Sequence, residues 1–195
     1  MLSYKESLEI LKETNALLEG HFILSSGLHS KQYVQCAKLL SYPKKAETIC
    51  SSLCEKINKT FNKIDIILSP AIGGIVVGYE VGRQLGLETI FAERLNGKLE
   101  LRRGFEIPQN SNVLIVEDVI TTGKSALECS EIITGNKSKI AGYACIIDRT
   151  DNKNLIEGNI VAQIKFKFET FNVNELPDEL KKIQPIKPGS RNLSQ

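Results

Sequence analysis

The chain has 195 residues, 42% of them hydrophobic and 25% charged, which suits one domain with a sizeable core and an ordinary soluble composition. A formal net charge of +2 gives no case for a nucleic-acid or membrane partner. No apolar run approaches the ~20 residues of a membrane-spanning helix, and Met1-Leu-Ser-Tyr-Lys-Glu6 lacks the apolar core of a signal peptide, so a cytoplasmic location is expected.

Ser3-Tyr-Lys-Glu6 is a capping box, and Tyr4, Leu8, Leu11 and Leu18 share one face of the helix it opens, expected to end near Leu18. Gly20 to Tyr33 is polar and turn-rich, and its two histidines, His21 and His29, are expected as exposed loop residues rather than as a general base. Pro43 starts a second helix, where its missing N–H costs nothing. From Ile64 strands and helices alternate: strand Ile64 to Leu68, helix Gly73 to Leu85, strand Thr89 to Ala92, strand Val113 to Val116, helix from Lys124, strand Ile140 to Ile147. That order predicts an α/β domain with a mainly parallel sheet and helices on both faces. Ile160 to Phe168 alternates apolar and polar residues and is expected as a late edge strand.

Gly74, Gly78, Gly82 and Gly86 recur every fourth residue along the Gly73 helix. Glycine inside a helix costs about 1 kcal/mol against alanine, so the stripe points to close packing on the sheet, with Gly86 as a C-cap. The five cysteines, Cys36, Cys50, Cys54, Cys129 and Cys145, contain no Cys-x-x-Cys pair. Cys50 and Cys54 fall on the apolar face shared by Ala46, Ile49, Leu53 and Ile57, so buried free thiols are expected rather than metal ligands.

The run Val113-Leu-Ile-Val-Glu-Asp-Val-Ile-Thr-Thr-Gly-Lys-Ser-Ala126 carries the most chemistry. Four branched apolar residues read as a strand covered on both faces, and the turn after it lies at the carboxyl edge of the sheet, where open α/β folds bind ligands. Thr121, Thr122, Gly123, Lys124 and Ser125 leave N–H groups unpaired at a helix start, which favours an anion. Glu117 and Asp118 would repel a bare phosphate but accept hydrogen bonds from neighbouring hydroxyls, so a ribose 5-phosphate suits the run. A nucleotide-triphosphate loop would need glycine where Asp118 stands.

Ser69-Pro-Ala-Ile-Gly-Gly74 is a second strand-to-helix turn on the same edge, also ready for an anion. Arg94, Lys98, Arg102 and Arg103 surround an Asn96-Gly97 turn that predicts a hairpin. Ile146-Ile-Asp-Arg149 ends another core strand, and the planar fork of Arg149 suits a carboxylate.

The Val113 to Ala126 run closely resembles the phosphoribosyl-pyrophosphate (PRPP) motif of the type I phosphoribosyltransferases. The resemblance implies that Glu117 and Asp118 bind the ribose hydroxyls, that Val119, Ile120 and Thr121 to Ser125 complete the loop around the 5-phosphate, and that Ala71, Ile72 and Gly73 contact pyrophosphate. Lys124 stands where many relatives have a second glycine. Phe22-Ile-Leu-Ser-Ser-Gly27, then Ser30 and Tyr33, are similar to the N-terminal hood of orotate phosphoribosyltransferases, with Ser25 replacing a common lysine. For that family the pattern implies orotate contacts from Ser26, Gly27, Thr121 and Arg149, and a mobile basic loop supplying Arg94 and Lys98 beside the catalytic acids Glu117 and Asp118. Lys187-Pro-Gly-Ser-Arg191 resembles the end of a bacterial subgroup, and Leu176-Pro-Asp-Glu179 stands where some of that subgroup have a cysteine pair, so no direct metal site is expected.

The resemblance further implies one phosphoribosyltransferase domain over 1–195: a helix and hood over 1–40, an α/β core over 41–170, a tail over 171–195. It implies Mg2+ held through PRPP and water, a homodimer, and transfer from PRPP to orotate in pyrimidine synthesis. The alternatives are a purine phosphoribosyltransferase and a non-catalytic PRPP-sensing regulator of the same fold.

Overall fold

A computed structural model describes residues 1–24, 26–150 and 155–188. In chain order the elements are α1 (Tyr4–Glu13), β1 (Leu17–Ile23), β2 (His29–Val34), α2 (Cys36–Leu40), α3 (Pro43–Thr60), β3 (Ile66–Pro70), α4 (Gly73–Leu85), β4 (Glu88–Leu95), β5 (Lys98–Leu101), β6 (Asn112–Ile120), α5 (Lys124–Gly135), β7 (Lys139–Asp148), β8 (Ile160–Lys165), β9 (Thr170–Phe171) and α6 (Asp178–Lys181).

The central sheet has the order β5-β4-β3-β6-β7-β8. Every pairing from β4 to β8 is parallel, and β5 adds an antiparallel edge through the Asn96-Gly97 turn. All five residues of β3 are buried, as a parallel strand covered on both faces requires. One core joins Leu11, Leu39, Ile49, Leu53, Val77 and Val81 to the sheet; the other lies under α5 around Ile115, Cys129 and Ile133. Helices therefore cover both faces, as expected. The parallel strands point their carboxyl ends the same way, gathering the loops after β3, β4, β6 and β7 at one edge.

The capping box of α1 is formed: the Glu6 N–H donates to Ser3 Oγ at 3.2 Å, and the Ser3 N–H donates to the Glu6 carboxylate at 2.8 Å. The helix nevertheless stops at Glu13, short of Leu18. Thr14 turns its hydroxyl onto the Ile10 carbonyl at 2.8 Å, and Asn15 takes a left-handed φ of 52°, which sends Leu17 and Leu18 into β1. The segment expected as a turn-rich stretch is an antiparallel hairpin, β1 with β2, to which β9 adds a third strand.

His21 and His29 are likewise not exposed. They are 3% and 7% accessible, with His21 Nε2 2.6 Å from His29 Nδ1 and His21 Nδ1 2.8 Å from the Ile183 carbonyl. A carbonyl can only accept, so His21 Nδ1 donates to it, and in the neutral pair His21 Nε2 accepts from His29. The tail makes the difference: Ile186 exchanges backbone hydrogen bonds with His21 and Ile23 and closes the hairpin off from solvent.

The glycine stripe is packing. A Cβ on Gly78 would stand 2.0 Å from Ser69 Oγ, and one on Gly82 1.8 Å from Thr89 Oγ1, while Gly86 caps α4 in the left-handed region. The five cysteines are buried free thiols, each pushed up by burial. Gly142, next to a register shift between β6 and β7, has φ +157°, and a Cβ there would meet the Phe61 ring at 2.2 Å. Gly142→Ala should therefore lower stability by roughly 1–3 kcal/mol, the usual cost of overpacking, measurable as a lower denaturant midpoint at unchanged m-value.

Candidate active site

β6 runs through its acids: the ladder to β7 continues to Val119 and Ile120, and Ile120 beyond the acids is again fully buried. Backbone pairing does not depend on side-chain polarity, so the strand continues through the two acids without a break. Side chains alternate along a strand, and the two acids part accordingly. Glu117, 8% exposed, lies toward α5, where its charge helps push up the Cys129 thiol. Asp118 lies toward α4: a Cβ built on Gly73 would stand 2.8 Å and 3.0 Å from its two carboxylate oxygens. Burial pushes the Asp118 carboxyl above its ordinary range, opposed by hydrogen bonds from the N–H groups of Val119 and of Asp118 itself. Val119 and Ile120 pack into the two cores, so what they can offer a ligand is backbone.

The turn after Ile120 is built for close approach. Gly123 is the N-cap of α5 with φ 78° and no side-chain cap, a conformation that costs glycine little. Thr121 and Thr122 are therefore not helix caps, and both are exposed. The first bond of the helix runs from Leu127 N–H to the Gly123 carbonyl at 2.8 Å, which leaves the preceding N–H groups without helical acceptors. α4 begins in the same way: its N-cap Ile72 follows a cis Ala71–Ile72 peptide, has no side-chain cap and is 86% exposed. Two uncapped helix starts thus flank the acids, one after β3 and one after β6, and Gly73 ties the first directly to Asp118.

Arg149 follows β7, and its N–H donates to the Ile120 carbonyl at 2.8 Å, which places it beside Thr121. Its guanidinium lies 4.2 Å from the Phe168 ring centroid, and its buried Nε has no hydrogen-bond partner. The neighbouring carboxylate does not neutralise it: Asp148 binds Lys165 at 2.9 Å and the Thr150 N–H at 2.7 Å. Burial lowers the Arg149 pKa, and the half-buried Tyr33 phenol feels both Arg149 and Asp118. Ser26 and Gly27 form the exposed tip of the hood hairpin, with Gly27 N–H bonded to the Leu24 carbonyl. Ser25 and Gly189 to Arg191 lie outside the described residues.

The basic hairpin forms, but two of its arginines are engaged. Arg94 makes a forked ion pair with Glu128 of α5 at 2.9 and 3.2 Å and also donates to the Gly97 carbonyl; Glu128 in turn accepts from Leu99 N–H. Arg103 pairs with Glu93 at 2.8 and 2.9 Å. Lys98 and Arg102 are exposed. Nothing in the sequence pattern singles out Glu128; it carries a helix-surface charge like any other until the hairpin folds against α5. Among the described residues no three His, Cys, Asp or Glu side chains gather as a metal cage. Glu117 and Asp118 offer oxygen donors of the kind Mg2+ accepts, with water or substrate oxygens needed to complete its octahedron.

The phosphoribosyl transferase domain model matches residues 41–178. The orotate phosphoribosyltransferase of Methylorubrum populi is 45% identical over 190 residues, covering 97% of each chain, and that of Caldicellulosiruptor bescii is 45% identical over 184 residues, covering 94% of this chain and 96% of the relative. The chain belongs to the orotate phosphoribosyltransferase family. The crystal structure of orotate phosphoribosyltransferase from Aeropyrum pernix, 21% identical, has the same fold, with a TM-score of 0.72 over 81% of this chain and 92% of that one. For an orotate phosphoribosyltransferase, the sheet edge gathers the expected positions: Glu117, Asp118 and Thr121 to Ser125 after β6, Ala71 to Gly73 after β3, and Arg149 after β7. Arg94, near the end of β4, is held on Glu128.

Proposed function

We propose that the chain transfers the ribosyl 5-phosphate group of PRPP to orotate, giving orotidine 5-phosphate and pyrophosphate, the phosphoribosyl step of de novo UMP synthesis. The observation that carries this reading is an unpaired guanidinium, Arg149, beside two uncapped helix starts joined by the Gly73–Asp118 contact. Two anion sites bracketing a carboxylate pair fit a sugar carrying phosphate at one end and diphosphate at the other. A third site, cationic and forked, fits a planar substrate with a carboxylate.

In this scheme the N–H groups of Thr121 to Ser125 hold the 5-phosphate, and that remote binding is converted into orientation at C1. Glu117 and Asp118 accept the ribose hydroxyls and offset positive charge as the C1–O bond to pyrophosphate breaks. Orotate nitrogen then forms the new C1–N bond, its N–H proton passing to the departing pyrophosphate or to water, while Arg149 and Thr121, with Ser26 and Gly27 above, orient its ring. Mg2+ bound with PRPP would neutralise part of the diphosphate charge through substrate and water oxygens. Lys98, and Arg94 once it exchanges Glu128 for the diphosphate, would stabilise the leaving group, an interaction that grows in the transition state.

A homodimer is part of the reading. Ile72, Val76 and Tyr79 are 86%, 49% and 66% exposed and lie one turn apart on the face of α4 beside the site, where a second copy would cover them; light scattering measures this. A cytoplasmic location is part of the same reading; among the described residues no helix is long and apolar enough to cross a membrane.

The deciding assay is PRPP- and Mg2+-dependent consumption of orotate, with adenine, guanine, hypoxanthine and uracil as controls. Turnover of a purine without turnover of orotate overturns the reading. Gly73→Ala adds a companion test. A methyl there would press on the Asp118 carboxylate, so kcat/KM for PRPP should fall at least about tenfold, while the thermal midpoint changes little because alanine suits a helix start better than glycine.

A further inference from the structure

Phe168 has no role in the scheme above, yet it is the group against which Arg149 rests. A guanidinium presents two distinct surfaces: a face that interacts with an aromatic ring, and an edge of N–H donors that forks a carboxylate. A protein acceptor holding Arg149 would occupy the edge and compete with substrate. A ring would hold it by the face and leave the edge free: here the guanidinium carbon lies over the Phe168 ring, 4.2 Å from its centroid, Nε has no partner, and Asp148 is committed to Lys165 and Thr150.

Phe168 is itself fixed. Its ring packs on Phe166 at 5.7 Å and 34°, and Phe166, 8% exposed, receives the edge of Tyr4 from α1 at 5.9 Å and 70°. Phe166 N–H donates to the Asp148 carbonyl at 2.9 Å, so the segment bearing the ring is pinned to the end of β7, next to Arg149. Two residues beyond Phe168 the chain enters β9 and pairs with the hood strand β2 at His29 and Ser30. Phe168 therefore sits on the covalent link between the central sheet and the hood.

We propose that Phe168 is a positioning residue that sets substrate specificity: its ring holds the Arg149 guanidinium by the face, so that the free edge is aimed at the substrate carboxylate, and its place before β9 ties that aim to the hood. This rests on the reading that Arg149 receives a carboxylate. The test compares the full chain with Phe168→Leu, Phe168→Tyr and the double variant Arg149→Ala/Phe168→Leu in steady-state assays with PRPP, Mg2+ and orotate. The expected result for Phe168→Leu is a rise in KM for orotate of about tenfold, the scale of a partly desolvated cation–π contact, with KM for PRPP and the thermal midpoint little changed. Phe168→Tyr should restore the wild-type KM, and the double variant should be no worse than Arg149→Ala alone. An unchanged orotate KM in Phe168→Leu, or a parallel rise in both KM values, overturns the proposal. If Phe168→Leu fails to fold, Phe168→Met, which keeps apolar bulk without a ring, gives the same readout. Absence of orotate turnover by the wild type defeats the functional reading and this proposal together, whereas wild-type turnover with an unaffected variant defeats this proposal alone.

Discussion

Asp118→Asn is expected to cut kcat by about 10²-fold or more, the scale seen when one preorganised electrostatic group is removed from a developing charge, and at neutral pH to make the protein more stable. Both effects have one origin. The Asp118 carboxyl is raised above its ordinary range by burial against Gly73, so the native state holds this proton more tightly than the unfolded chain. Between the unfolded value near 3.8 and the higher folded value, the native state carries the extra proton and stability falls as pH rises. Above the folded value the full cost of a buried charge persists. Asparagine has nearly the same shape, can accept from the same Val119 N–H, and carries no charge to bury. Its stabilising effect should be largest at neutral pH, shrink as pH drops through the folded pKa, and vanish below about 3.8, where both states of the wild type are protonated. Thermal melts across pH beside single-turnover rates measure the two consequences. A variant that loses activity and is also destabilised at pH 7 would mean that the carboxylate is a structural acceptor rather than a group held under strain for ligand.

Such a strained acid was only half visible in the sequence. The β6 to α5 run and the β3 to α4 turn were legible because buried branched residues followed by small ones leave few alternatives to strand, turn and helix, and α4 has the expected bounds Gly73–Leu85. That Gly73 touches Asp118 depends on two strands lying side by side in the sheet, a relation no local pattern encodes. The hairpin within the hood and the burial of its histidines were illegible for a similar reason. Gly20 to Tyr33 looks polar because the burial of its histidines is supplied by Ile183 and Ile186, more than a hundred residues away in sequence. Arg94 read as a free cation because its partner, Glu128, lies on a different element. The sequence likewise does not show that the Asp148 carboxylate goes to Lys165 and not to the neighbouring Arg149. The alternation Phe166, Phe168 carried a usable signal. It predicts the outer end of an edge strand, whereas β8 ends at Lys165 and the two rings continue beyond it as a stack leading to Arg149.

Arg149→Ala is expected to raise KM for orotate by about 10² to 10³-fold, since truncating one partner of a desolvated, hydrogen-bonded charge pair costs 2 to 5 kcal/mol and each 1.4 kcal/mol is a factor of ten. KM for PRPP should stay near its wild-type value, because in the proposed scheme the ribose 5-phosphate and diphosphate are held from β6 and β3. Discrimination against uracil, which lacks the carboxylate, should shrink correspondingly. Arg149→Lys should recover little: an ammonium is a compact point charge with no fork, and it cannot give its face to Phe168 while presenting two parallel donors. Stability separates this role from a structural one. A guanidinium whose Nε is buried without a partner and whose ionised form is disfavoured by burial does not hold the fold together, and removing an uncompensated charge relieves a cost. The thermal midpoint of Arg149→Ala without ligand should therefore match or exceed that of the wild type, while the upward shift that orotate produces in the wild type should be lost. A variant that melts lower, keeps its orotate KM and keeps the ligand shift would show Arg149 to be a packing residue, and the carboxylate would have to be received elsewhere on the sheet edge.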